Sequence, residues 1–239
     1  MYKTTKTIGD EKMSYTSKSN LNSPLHQRER EMLLAGFSYA EIAQALGVRQ
    51  KSVSERNRLV YRINLQDAFA RRIERDGIPN RLNVSDSFGY WFSGFVDGEG
   101  NFEIFSRRRR TGKYVERRAW LQIIIRDDDT DTIQFIYDNL KCGIIYHNKG
   151  HGRTNPNVTF RVEKIKGLAE IIVPLFEKYP LHTKKASEFI IWRNVVKTQY
   201  ILTLGGYSQR VAATDEQNAA FNQALQAITK IRHYTPTRK

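Results

Sequence analysis

The stretch that most constrains this chain is residues 91–105, WFSGFVDGEGNFEIF, where an apolar run leads through DGEG directly into a strand-like run. On a helix, Gly94 and Gly98 are four residues apart and share one face, which lets a second backbone approach closely. Two such helices could pack through these positions, with Glu99 at the C-terminal end of each. Paired carboxylates there are unfavourable with the helix dipole and with each other, unless a divalent cation neutralises them. The stretch therefore predicts a metal site shared by two helices.

The charge of the chain indicates the kind of partner. Its 239 residues carry a net charge of +14 and a sequence pI near 9.9, which favours a polyanion, with nucleic acid first and an acidic membrane surface second. No apolar run approaches the roughly 18 residues of a membrane span. We find no basic amphipathic helix, no glycine after Met1 for myristoylation and no C-terminal prenylation cysteine. We therefore expect a soluble protein without membrane attachment.

Cysteine usage and the N-terminus predict a reducing intracellular compartment. Cys142 is the single cysteine, so this chain can form neither an intramolecular disulfide nor a zinc finger. The first twenty residues are polar and mix acids with lysines, unlike a secretory signal or a transit peptide. We expect residues 1–22 to form a disordered arm, and bacterial, phage-host and organellar settings all stay open.

Residues 23–63 are predicted to form a small helical module. Apolar residues recur at helical spacing with interruptions at Gly36 and Gly47, and Ser38 with Glu41 forms a capping box that begins the second of three short helices. The pattern resembles a helix-turn-helix, whose second helix enters the major groove. The exposed face of that helix would carry Arg49, Gln50, Ser52 and Arg56. A helical hairpin that only packs on protein is the alternative.

Residues 64–86 read as a linker with a short helix, and residues 87–239 read as a larger α+β domain. After the motif, strand-like runs flank Thr111-Gly112, a helix is expected at 131–140, and a second strand pair at 144–147 and 157–162. Helices at about 165–177, 183–197 and 215–231 follow. The predicted order is helix, hairpin, helix, hairpin, helices.

The segment 92–100, FSGFVDGEG, resembles the nine-residue signature of LAGLIDADG homing endonucleases, with Ser93 and Gly98 at small positions and Glu99 in place of the second Asp. That family places the motif on a helix leading into a DNA-reading sheet, and a strand-like run follows here at once. The resemblance implies an αββαββα half-domain and site-specific cutting of both DNA strands, leaving 3′ overhangs. Because the chain has one motif, we expect a homodimer on a pseudo-palindromic site.

The resemblance also implies roles for individual residues. Glu99 would be the principal catalytic residue and a ligand of Mg²⁺ or Mn²⁺, while Asp97 would first support the helix interface and only second contact metal. The dimer interface would contain Gly94, Phe95, Asp97 and Gly98. Lys184 best matches the catalytic lysine, and Arg126 or Asp127 falls where the family has a polar residue at the end of the second strand. The plainer alternatives are a capped core helix and a solvated lysine.

Two basic hairpins are the predicted DNA-contacting elements. The residues are Arg107, Arg108, Arg109, Arg110, Lys113, Arg117 and Arg118 in the first hairpin, and Lys149, Arg153 and Arg161 in the second. So dense a positive charge would be repulsive without phosphates or guanines against it. Phe102 and Ile104 suggest one core face of the first strand and Phe105 contradicts it, so the sequence leaves the DNA-facing side open.

Two other functions stay open from the sequence. A transcription regulator could have kept DNA binding and lost cleavage, although the acid at Glu99 favours an active enzyme. An intron maturase would use the same sheet to bind structured RNA, and net positive charge does not separate RNA from DNA.

Overall fold

The structure is a computed structural model that describes residues 22–108, 115–150, 155–206 and 215–233, without the side chains of Arg107, Arg108 and Val115. Residues 1–21 of the predicted arm, the Thr111-Gly112 turn, Arg109, Arg110, Lys113 and Arg153 lie outside the described residues. The chain divides into two compact units, Met1–Ala68 and Phe69–Lys239. In the described ranges, no helix is both long enough and apolar enough to cross a membrane.

The first unit is built from three short helices, as predicted. They are α1 (Pro24–Leu34), α2 (Tyr39–Leu46) and α3 (Gln50–Arg56), and α3 continues as a π-helical turn over Asn57–Tyr61. Each helix contributes one fully buried residue to the core, namely Leu33, Ile42 and Val53. The capping box is confirmed: the Ser38 hydroxyl accepts from the backbone N–H of Glu41, whose carboxylate accepts from that of Ser38. Gly47 ends α2 in the left-handed conformation that the tight turn requires.

The prediction that Arg56 lies on the exposed face of α3 is wrong. Its side chain is buried, and its Nε donates to Glu29 Oε1 at 2.7 Å while Nη2 pairs with Oε2. Val53 faces the core, and positions three and four residues later share its face, so Arg56 and Asn57 follow it inward. The ion pair satisfies the fully buried Glu29, and burial beside Glu29 raises the pKa of Tyr61 to about 12.

We expect Arg56→Ala to destabilise the first unit by ~3–5 kcal/mol, because the substitution leaves the Glu29 carboxylate buried without its partner. Hydrogen exchange of the full chain measures this as a loss of protection over residues 24–61. Arg58→Ala is the matched control, since Arg58 is exposed on the same helical run. Equal protection in the two variants would contradict a stabilising role for the buried pair.

The second unit combines helices with a four-stranded antiparallel sheet, which confirms the α+β prediction. The helices are α4 (Leu65–Asp76, which begins in the first unit), α5 (Asp86–Glu99), α6 (Thr130–Leu140), α7 (Ile165–Gly167), α8 (Val173–Lys178), α9 (Lys184–Leu202) and α10 (Asp215–Arg232). The strands are β1 (Gly100–Arg108), β2 (Val115–Arg126), β3 (Ile144–Asn148) and β4 (Asn157–Val162), in the order β1-β2-β4-β3. The two hairpins therefore meet through β2 and β4.

The sheet has one core face and one open face. The buried apolar positions alternate along the strands, as a period of two requires; they are Phe102, Ile104, Ala119, Leu121, Ile123, Val158, Phe160 and Val162. Thr159, on the opposite face of β4, is buried as well. Phe102 contacts rings of α8 and α9, so this face lies against the helices. Phe105 lies on the opposite face beside Trp120, which resolves the conflict that the sequence left open.

A proline explains how the segment after α4 is attached to the second unit. Pro174 has no N–H to donate to the carbonyl of Glu170 four residues earlier, and a π-helical turn (Leu168–Ile172) lies there. The backbone N–H of Arg81 donates to that carbonyl at 2.8 Å. The Arg81 Nε also lies 2.7 Å from the buried Glu170 carboxylate, which accepts from the Tyr200 hydroxyl. Backbone and side chain of Arg81 therefore hold the segment together.

Candidate active site and nucleic-acid interface

The motif helix α5 ends at the start of the sheet. Its inner face buries Phe92, Ser93 and Val96, and the Ser93 hydroxyl donates to the carbonyl of Tyr179 at 2.6 Å. Gly100 then begins β1 without an intervening loop, and a Cβ there would lie 2.5 Å from a methyl of Val96. Only glycine fits this junction. Glu99, the last helical residue, is thereby fixed at the sheet end and is exposed.

Arg126 and Asp127 lie at the same end of the sheet as Glu99. Gly100 pairs with Ile123, so β2 runs three residues past the start of β1 before it ends at Arg126, roughly 10 Å at the rise of a strand. Both side chains are exposed, and Arg126 pairs with Asp128 at 2.6 Å. The register is compatible with the predicted polar role without choosing between the two residues.

Asp97 caps a helix of its own chain. Its carboxylate accepts from the backbone N–H groups of His182 and Thr183 and from the Thr183 hydroxyl, at the N-terminus of α9. Partial burial by itself raises the pKa of Asp97, but the Thr183 side chain and the two backbone donors together lower it below its ordinary value. Both carboxylate oxygens are engaged, so the structure favours a structural role over metal contact.

We expect Asp97→Asn to lower stability by ~1 kcal/mol at neutral pH, the scale of a lost helix cap. The depressed pKa means that the wild-type stabilisation is present above the unfolded-state pKa near 3.9 and is lost as the pH falls through the folded-state value. Thermal melts should therefore show the two proteins converging below about pH 4. Asp138→Asn, at an exposed position of α6, is the control; a constant difference at every pH would contradict the carboxylate cap.

The structure brings Lys185, rather than Lys184, to the end of the motif. Lys185 Nζ donates to the carbonyl of Gly100 at 2.5 Å, one residue after Glu99. Lys184 is exposed, and none of its contacts ties it to the motif. Which of the two adjacent lysines faces the motif depends on the rotation of α9 about its axis. Two identical neighbouring residues give no indication of that rotation in the sequence. The role predicted for Lys184 fits Lys185 better.

The Gly94 and Gly98 face of α5 is open. A Cβ built at either glycine meets no atom of the described part of the chain within 4 Å, and both residues are exposed. Tyr90 and Trp91 flank the glycines with exposed fractions of 65% and 40%, and Trp91 stacks on Phe95. The two glycines leave room for another backbone to approach α5, and the exposed rings beside them offer apolar surface to it.

The described residues of one copy contain no ready-made cluster of metal-ligating side chains. Across the described ranges, no group of three or more His, Cys, Asp or Glu side chains could hold an ion. Asp97 is occupied as a cap, which leaves the exposed Glu99 as the motif carboxylate available to a ligand. A hard cation that keeps several water and phosphate ligands suits an exposed carboxylate. Glu99 therefore fits such an ion as one of its ligands.

The open sheet face carries a row of rings around an arginine. Phe105 lies beside Trp120, and Arg161 lies between Trp120 and Tyr146 while bonding Gln122. Gln122 and the rings were missed because the core face of the strands was undetermined from the sequence. Arg118, on the same face, pairs with Glu116.

Arg117 lies on the other side of the sheet. Its guanidinium lies 5.4 Å from the ring centroid of Phe221 on α10, and it pairs in register with Ser106. Alternation along β2 turns Arg117 toward the helices, a position that does not favour the DNA contact predicted for it. Lys149 is exposed directly after β3, in keeping with its predicted position beside the second hairpin.

Residues 92–196, which run from within the motif helix α5 into α9, match the family model LAGLIDADG endonuclease. The match covers less than half of the chain and is a similarity to this family. The helix-turn-helix candidate lies outside the matched residues.

The chain is similar to two curated proteins of Neurospora crassa. Probable intron-encoded endonuclease 3 is 28% identical over 153 residues, which is 62% of this chain and 27% of that protein. Probable intron-encoded endonuclease 2 is 34% identical over 109 residues, which is 44% of this chain and 23% of that protein. The chain thus spans about a quarter of the length of these relatives.

Solved structures with a similar arrangement include two homing endonucleases. The homing endonuclease I-TnaI shares 22% identity over 60% of this chain and 97% of its own, with a TM-score of 0.41. The I-SmaMI LAGLIDADG homing endonuclease bound to cleaved DNA shares 24% identity over 62% of this chain and 50% of its own, also with a TM-score of 0.41.

Proposed function

We propose that this protein is a site-specific endonuclease that hydrolyses both strands of DNA with Mg²⁺ or Mn²⁺ as a homodimer on a pseudo-palindromic site. The observation that carries the proposal is the placement of Glu99. It is exposed at the C-terminal end of α5, where the rigid Gly100 junction joins the helix to the sheet.

The open glycine face supports the homodimer. Two copies of α5 packed through Gly94 and Gly98 would bring both helix ends together, and with them two Glu99 carboxylates. A twofold dimer presents the same face from each copy, so one contact generates the whole interface. Phe95 and the exposed ring of Trp91 would flank it, while Asp97 would hold α9 in place.

The chemistry follows from charge at the helix ends. A bound divalent cation would supply Lewis-acid activation of water and stabilisation of the departing 3′ oxygen. The Glu99 carboxylates would hold that charge beside the scissile phosphates. Lys185, and Arg126 or Asp127 at the end of β2, would orient solvent and phosphate around it.

The open sheet face would lie in the major groove, with Arg118, Arg161 and Lys149 among its contacts. Its basic hairpins, including Arg107 and Arg108, would add phosphate contacts that weaken with salt. In the first unit, the exposed Arg49 and Gln50 with Ser52 would lengthen each half-site through a second groove contact. We propose an intracellular setting, in keeping with a nucleic-acid substrate.

The proposal is tested by incubating the full chain with a plasmid that carries the uninterrupted insertion site of its own gene, in Mg²⁺ and in EDTA. A linear product with 3′ overhangs in Mg²⁺ alone is the expected result. Tight binding of that DNA without cutting would favour the regulator, and preferential binding of the matching intron RNA would favour the maturase.

A further inference from the structure

We infer that Arg161 reads a guanine in each half-site, an assignment that rests on the proposed function and names a base that the site must contain. Arg161 lies on the open face near the middle of the sheet. It pairs in register with Gln122 of β2 on one side and with Ile144 of β3 on the other. If the open face lies in the major groove, a side chain on an inner strand is closer to the base edges than to the phosphates at the rim of the groove.

The Arg161 guanidinium lies close to two aromatic rings. Its central carbon lies 5.3 Å from the ring centroid of Trp120 and 5.6 Å from that of Tyr146. Both distances are within the range of a favourable cation–π contact. Because one ring comes from each neighbouring strand, the clamp fixes Arg161 laterally before any DNA arrives.

Gln122 fixes the rotation of the same group. Its Oε1 accepts from Arg161 Nε at 2.9 Å and from Nη2 at 2.6 Å. A guanidinium has five N–H donors, so the edge formed by Nη1 and the second hydrogen of Nη2 is left over by these bonds. In the major groove guanine offers O6 and N7, two acceptors at the spacing of that edge. Adenine replaces O6 with an amino donor, which this edge would repel.

The position of the clamp indicates which part of the half-site it reads. Gln122 pairs with Asn101, two residues after Glu99, and β4 lies two strand spacings from β1, roughly 10 Å. The guanine is therefore expected in the inner part of the half-site, near the cleaved phosphate.

The experiment selects bound sequences from a randomised double-stranded DNA library, using the full chain in EDTA so that no metal-dependent cutting occurs. Wild type is compared with Arg161→Gln, Arg161→Lys and Gln122→Leu. Lysine keeps the charge and a phosphate contact but has no planar fork. We expect both Arg161 variants to lose about ten- to a hundredfold preference for one inner G·C pair, with the other positions unchanged. Gln122→Leu should weaken the same preference and no other.

Lys149→Ala is the matched control, since Lys149 is exposed and should change affinity without changing any base preference. Circular dichroism melts establish that each variant is folded. An unchanged consensus from folded Arg161→Lys would overturn the guanine assignment while leaving the endonuclease proposal intact. No consensus from wild type would overturn both the assignment and the site-specific function on which it rests.

Discussion

Glu99→Gln should reduce the rate of double-strand cleavage at least ~1,000-fold, which corresponds to roughly 4 kcal/mol of lost transition-state stabilisation. Glutamine keeps the shape of the side chain and removes the charge that would hold the cation at the end of α5. Because Glu99 is exposed, its substitution should disturb no packing, and we expect the melting temperature and the affinity for DNA to stay close to wild type. Single-turnover cleavage and DNA binding measured on the same preparations separate these effects.

Glu74→Gln is the control for this substitution. It makes the same chemical change at an exposed position of α4, outside the motif, and should leave cleavage unaltered. Wild-type cleavage by Glu99→Gln would mean that the active site lies elsewhere in the chain. Loss of DNA binding together with cleavage would instead assign Glu99 a part in assembling the DNA-binding surface.

The sequence predicted those parts of the fold that local chemistry determines. The capping box at Ser38, the helix that begins the motif and the two hairpins all depend on neighbouring residues, and the structure has them where they were expected. The family resemblance added a predicted catalytic role for the DGEG segment. Secondary-structure patterns alone do not indicate such a role.

The side-chain positions that the sequence left open or misplaced depend on contacts between residues far apart in the chain. Arg56 was expected on the exposed face of the third helix, yet it forms a buried ion pair with Glu29, 27 residues earlier in the chain. Lys185 was passed over for its neighbour because only the packing of α9 on the motif end distinguishes them. Arg117 was grouped with the DNA contacts until Phe221 of α10, more than a hundred residues later, placed it on the helix side. Charge alone identified the class of partner and not which charges face it.

Gly94→Leu should abolish dimer formation, and cleavage with it, while leaving the isolated chain as stable as wild type or slightly more stable. A Cβ at Gly94 meets no atom of the described residues within 4 Å, and replacing a mid-helix glycine gains up to ~1 kcal/mol of helix propensity. In a twofold dimer the substitution occurs twice at the closest approach of the helices, at ~1–3 kcal/mol for each overpacked site. Sedimentation velocity over a range of concentrations measures the dissociation constant, which should rise at least ~30-fold.

Gly89→Ala separates this effect from damage to the fold. Gly89 is on the same helix, but its Cβ would lie 2.2 Å from the ring of Tyr179, which is buried and donates its hydroxyl hydrogen to Asp86. Since that ring has no room to move, the variant should lose ~1–3 kcal/mol of monomer stability. The two substitutions, five residues apart, would thus be harmful for opposite reasons. At Gly89 the space is already filled by Tyr179, whereas at Gly94 the space must stay empty for a second copy. A Gly94→Leu protein that still dimerises with wild-type affinity would show that the open face of α5 is not where the two copies meet.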